Sequence, residues 1–146
     1  MGKRRPTMKG LLLVLAVALI ALGDYVTLCR GWHNGVEYPG VDELNAKHEE
    51  DFGRPADVMV GPSYAIVQIV ADAIERAGTL DREAIRDAIA ATDMMTTVGS
   101  VTFREDGTGV VLSPFVQWQE GKQELVWPTD FATVDFVHPA PAFDQR

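Results

Sequence analysis

Between Pro62 and Thr92 the chain carries two amphipathic helical patterns in immediate succession, PSYAIVQIVADAIERAG and LDREAIRDAIAAT, with a stop and a start signal between them. Pro62 suits a first helical turn, where its missing N–H costs nothing. Ile66, Ile69, Val70, Ala73, Ile74 and Ala77 then recur at helical spacing and predict the face turned to a core, leaving Asp72, Glu75 and Arg76 to solvent. Gly78 is a left-handed helix stop. Asp81 is an N-cap for the second helix, with Leu80 and Ile85 placed as a hydrophobic staple around it. A helix pair so sharply bounded must pack on something, and the flanking segments read as strands.

At 146 residues the chain is one domain or less. Upstream of the pair, Asp24 to Leu28 suits a strand, and RGWHNGVEYPG (30–40) is a loop or hinge crossing. Val41 to Phe52 is a mostly polar helix closed by Gly53, and Val58 to Val60 a short strand. Downstream the pattern alternates. Val98, Val101 and Phe103 fall in one strand, and Val110 to Leu112, Phe115 to Gln119 and Glu124 to Trp127 in others. Glu105-Asp106-Gly107 and Glu120-Gly121-Lys122 make the turns. The tail from Thr129 is draped on the surface. The fold class is therefore α/β: two to three helices on short strands, followed by C-terminal β-hairpins.

The first 23 residues, MGKRRPTMKGLLLVLAVALIALG, form a separate segment from 24–146. Its basic start, its unbroken apolar run Leu11 to Leu22 and Ala21-Leu22-Gly23 have the marks of an export signal. The run is shorter than the roughly 20 residues a spanning helix needs. The same run also reads as a buried strand entering a short helix, and both readings stand.

Charge narrows the partners. Lys3, Arg4, Arg5 and Lys9 hold four of the 13 positive charges, so the remainder has nine against 21 acids, a net of −12. Such a body repels phosphate backbones and argues against nucleic acid. The lone Cys29 excludes an internal disulfide and is expected as a small buried hydrophobe. No Walker loop, G-x-G-x-x-G, H-E-x-x-H, C-x-x-C or G-x-S-x-G occurs. His33, His48 and His138 are scattered and expected at the surface. His48-Glu49-Glu50-Asp51 has neither zinc nor calcium spacing, and neither has the run from Arg104 to Gly109. A binding protein without cofactor or metal fits better than an enzyme.

Several of these pieces, in this order, resemble one family: the type I solute-binding proteins of ABC importers, in the branch that binds branched-chain amino acids or small amides. The residues are Tyr64-Ala65, AIERAG (73–78), LDREAIRDAI (80–89), VGSVTFREDGTG (98–109) and QWQEGKQELVWP (117–128), with GDYV (23–26) and GWHNGVEYPGVDEL (31–44) upstream. The resemblance implies a partial periplasmic-binding-protein type I fold, matching about the last third of a two-lobed clamshell. It implies a small-molecule amino acid or amide in the cleft between lobes, and a membrane permease as partner. It implies a periplasmic or extracytoplasmic location, or a cytoplasmic one if the N-terminal run is a core element. Met59, Gly61, Ser63 and Tyr64 fall where members place a residue on the ligand side chain, and Trp32 is a further candidate in the crossing loop. Strand ends and a helix N-terminus are where such ligands gather. Packing of Met59 and Tyr64 between strand and helix is the plain alternative. The residues holding the α-carboxylate and α-ammonium have no counterpart here. Two other readings remain: a structural fragment that self-associates through the helix pair, and a sensory domain of the same fold.

Overall fold

The computed structural model describes residues 23–142. The apolar run Leu11 to Leu22, and with it the signal-or-strand question, lies outside them. The chain divides into two compact units, one holding Cys29–Pro114 and the other the described residues up to Leu28 with those from Phe115 onward.

In the larger unit, α1 (Val41–Phe52), α2 (Val60–Ala77) and α3 (Arg82–Ala90) precede an antiparallel sheet of β2 (Asp93–Thr96), β3 (Gly99–Phe103) and β4 (Gly109–Val110). Helix ends follow local chemistry. Gly53 and Gly78 both take left-handed backbone, at φ 64 and 63, and their N–H groups close the last turns on the Glu49 and Ile74 carbonyls. Asp81 Oδ1 accepts the Glu83 and Ala84 N–H groups at 3.1 and 3.0 Å, capping α3 as its sequence predicts. Leu80 stays 79% exposed, so the expected staple buries little. The β2–β3 hairpin pairs Met94 with Val101 and Thr96 with Gly99, leaving Thr97-Val98 as a two-residue turn.

In the smaller unit β5 (Phe115–Gln119) and β6 (Lys122–Trp127) form a hairpin whose Glu120-Gly121 turn has positive φ at both residues, as a two-residue turn between twisted strands requires. The strand β1 (Thr27–Cys29) lies beside β5. The Tyr25 N–H donates to the Trp118 carbonyl, and the Trp118 N–H returns a bond to the Val26 carbonyl. After a short 3₁₀ turn the tail is fastened rather than loosely draped. The Gln117 amide oxygen accepts the Val137 N–H at 3.0 Å, and its nitrogen donates to the Val137 carbonyl at 3.1 Å. Gln119 donates to the Asp135 carbonyl at 2.9 Å.

Four further expectations are corrected. Val58 to Val60 is not a strand but a turn running into α2, because Asp57 captures the Met59 N–H with its side chain and the Val60 N–H with its carbonyl. Cys29 is exposed, being at the outward-facing end of an edge strand. His48 is buried, its ring 4.8 Å from that of Phe52 and its Nδ1 3.1 Å from the Arg54 carbonyl. Arg76 lies on the solvent side as its spacing predicts, and from there it also donates to Asp72, to the Ala88 carbonyl at 2.7 Å and to Thr92 Oγ1 at 3.2 Å, tying α2 to the end of α3. Lastly, α2 buries Gly61, Ala65 and Ala73, whereas Ile66 and Val70 from the expected stripe are exposed. That helix is apolar on two faces, and only one is covered.

Candidate functional site

The start of α2 is held from beneath by a chain of buried contacts. Trp32, 1% exposed, lies directly under Gly61, and a methyl group there would overlap its indole ring. The indole N–H donates to the Thr97 carbonyl at 2.8 Å, and Thr97 Oγ1 donates to the Gly61 carbonyl at 3.0 Å. The Thr97 N–H reaches Gln68 Oε1, further along the helix, at 3.1 Å. Loop 30–40, the β2–β3 turn and the first three turns of α2 are thus one packed node. Every polar group named in it has a partner, as burial demands.

Above this node the surface opens. Leu44, Phe52, Met59, Val60, Tyr64 and Val67 line a groove of about 500 Å³ between α1 and α2, with Ser63 at its edge. Met59 and Tyr64 are 64% and 48% exposed. Lys47, His48 and Asp51 provide the polar rim. Lys47 lies 3.0 Å from both Asp51 and Glu50, and these carboxylates, Asp51 first, raise its pKa. The turn that delivers Met59 is set by Asp57, whose pKa is lowered by the Met59 N–H and then by the Arg54 guanidinium at 3.1 Å. Arg54 also offers its carbonyl to His48, so the end of α1 and the start of α2 share one connection.

The five residues singled out from sequence therefore separate into two layers. Met59, Ser63 and Tyr64 come together on the open groove, neither sandwiched nor covered. Gly61 and Trp32 lie in the interior below them, with the indole N–H already engaged. Sequence reasoning missed Thr97 and Gln68, which fix the node, and Phe52 and Leu44, which complete the groove. Among the described residues no group of three or more His, Cys, Asp or Glu side chains is arranged to hold a metal ion. Nor is any described helix long and apolar enough to cross a membrane.

The described residues have the fold of a portion of a type I periplasmic solute-binding protein of ABC transporters. A leucine-binding protein, LivK, of Thermotoga maritima superposes with a TM-score of 0.64 at 21% identity, over 74% of this chain and 32% of its own. A solute-binding protein of an ABC transporter from R. palustris, solved with benzoate, superposes at 0.60 and 16% identity, over 71% of this chain and 29% of its own. In sequence, 67 residues are 33% identical to the leucine-, isoleucine-, valine-, threonine- and alanine-binding protein of Pseudomonas aeruginosa, 46% of this chain and 17% of that protein. The chain thus spans less than a third of the length of each of these proteins. No family model matches it.

Proposed function

We propose that this chain is part of the substrate-binding component of an ABC importer for branched-chain amino acids or small amides. It is non-catalytic and needs no cofactor. Residues 24–146 supply one portion of the solute-binding domain, and residues 1–23 are a distinct basic and apolar segment. Met59, Ser63 and Tyr64 contact the solute, with Met59 and Tyr64 on its aliphatic part. Gly61 and Trp32 set the height and angle of the α2 N-terminus from which those contacts project. The working protein acts outside the cytoplasm, closes around its solute by hinge motion and docks on a membrane permease.

The observation that supports this reading most is a coincidence of position. Three of the residues that the family resemblance marks as ligand-facing are left open on an apolar groove at a helix start, within a fold shared with leucine- and benzoate-binding transport proteins. Calorimetric titration with leucine, isoleucine, valine and short aliphatic amides, with benzoate in parallel, tests it. Saturable heat from the aliphatic solutes, lost in Met59→Asp, is the expected result. Heat from none of them, or from benzoate alone, refutes the assignment.

A further inference from the structure

Asn34-Gly35, in the loop that carries Trp32, has no part in the solute contacts. The two residues are the centre of a tight turn, closed by the Val36 N–H donating to the His33 carbonyl at 3.2 Å. The Asn34 main-chain carbonyl accepts a side-chain N–H of Asn45 at 2.7 Å, which fastens the turn to α1. Its side-chain amide is placed differently: among the described residues no hydrogen bond holds it. His33, Asn34 and Gly35 are all partly open to solvent.

Asparagine followed by glycine has a reactivity of its own. The main-chain nitrogen of the second residue can attack the side-chain amide carbon of the first and close a five-membered ring. Glycine, having no Cβ, hinders that approach least. The difficult part is the nucleophile, because an amide N–H must give up its proton as it attacks. In this turn the Gly35 N–H already donates to His33 Nδ1 at 3.0 Å. An imidazole nitrogen that accepts a hydrogen bond is unprotonated, so Nδ1 is a base within reach of the proton to be removed. A carbonyl oxygen in the same place would hold that proton without taking it.

We propose that Asn34 is a self-modification site, deamidated through the Gly35 nitrogen with His33 as the base. The Gly35 nitrogen forms a bond to Asn34 Cγ while its proton passes to His33 Nδ1. The Cγ–Nδ2 bond then breaks, the imidazolium returns the proton to the leaving nitrogen, and neutral ammonia departs from a succinimide. Water opens the ring at either carbonyl and gives aspartate or isoaspartate, with no oxidant or reductant consumed. Opening at the main-chain carbonyl changes the structure more. It routes the main chain through the former side chain, adds a methylene to the loop, and turns the carbonyl that Asn45 holds into a pendant carboxylate. The Asn45 bond then no longer fixes the path of the loop, two residues from the Trp32 ring that lies under Gly61. None of this depends on which solute the groove takes.

The test follows Asn34 conversion in the full chain beside a peptide of residues 30–40, at neutral pH and one temperature. Peptide mapping by mass spectrometry reads the exchange of amide for acid, and isoaspartyl methyltransferase labelling reads the isoaspartate. The chain should convert at least as fast as the peptide, in which the ring is not held on the Gly35 N–H. His33→Gln keeps a hydrogen-bond acceptor but no base, and should slow the chain tenfold or more while changing the peptide far less. The direction of that change separates two roles. If His33 merely braced the turn, its loss would loosen the loop and speed the attack. Circular dichroism checks that the variant folds, and the comparison of chain with peptide needs no variant at all. A chain that converts more slowly than the peptide overturns the proposal, and so does a His33→Gln chain whose rate is unchanged or raised.

Discussion

Replacing Gly61 with alanine adds one methyl group at the point where α2 lies on the Trp32 indole, and the surroundings decide its effect. The ring cannot move aside freely, because it is buried and its N–H is bound to the Thr97 carbonyl at 2.8 Å. Thr97 is in turn held by the Gly61 carbonyl and Gln68. Overpacking of this kind costs about 1–3 kcal/mol. Displacing the indole also loosens a hydrogen bond worth roughly 0.5–1.5 kcal/mol. The expected loss is therefore about 2–4 kcal/mol. For a chain of 146 residues each kcal/mol lowers the melting temperature by roughly 2–4 °C, so a fall of ~4 °C or more should appear in a thermal melt. Urea unfolding followed by tryptophan fluorescence measures the free energy, with helical circular dichroism as a second probe. A cycle with Trp32→Leu gives the mechanism: a smaller, more flexible side chain beneath Gly61 should absorb much of the added methyl, making the two substitutions non-additive. Two results would refute the reasoning. One is a cost for Gly61→Ala under about 0.5 kcal/mol, the range of an ordinary surface substitution. The other is a cost that is the same in the Trp32→Leu background as in the wild-type chain, which would mean that the indole does not support α2.

Other expectations follow from single contacts. Asp81→Ala removes the side-chain cap of α3 and should cost ~1 kcal/mol in urea unfolding. Asp57 has a folded-state pKa below its ordinary 3.8, so the stability it contributes is present above that value and is lost as pH falls through the depressed one. Asp57→Asn should accordingly flatten the acid limb of a stability–pH curve while leaving its shape near neutral pH unchanged. Gln117→Leu cuts both bonds to Val137, so hydrogen exchange at Val137 and its neighbours should quicken while β6 stays protected.

What was legible in the sequence was mainly what neighbouring residues determine. Gly53, Gly78 and Asp81 each close or open a helix through groups within a few positions, so their roles could be read directly. The Glu120-Gly121 turn was visible for the same reason. Val58 to Val60 misled because two valines suggest a strand, whereas a side-chain bond from Asp57 turned the chain into a helix. Trp32 meets Thr97 across 65 positions, and Thr97 meets Gly61 across 36. Nothing in the local pattern announces such pairings. The order of the family-like segments placed Met59, Ser63 and Tyr64 near one another, but only the coordinates separate them from Gly61 and Trp32 beneath. The second apolar face of α2 shows the limit of periodicity: Ile66 and Val70 have helical spacing, yet the cover lies on the alanine side.

The central claim is that the open groove at the start of α2 receives the aliphatic part of a solute. Methyl-resolved NMR of the chain, labelled at methionine, isoleucine, leucine and valine and titrated with leucine, addresses it most directly. The account predicts saturable shifts at Met59 and at its groove neighbours Val60 and Val67, with Val116 and Leu125 in the β5–β6 hairpin unmoved. Shifts centred on the hairpin methyls, or no saturable shift anywhere up to tens of millimolar leucine, would contradict it.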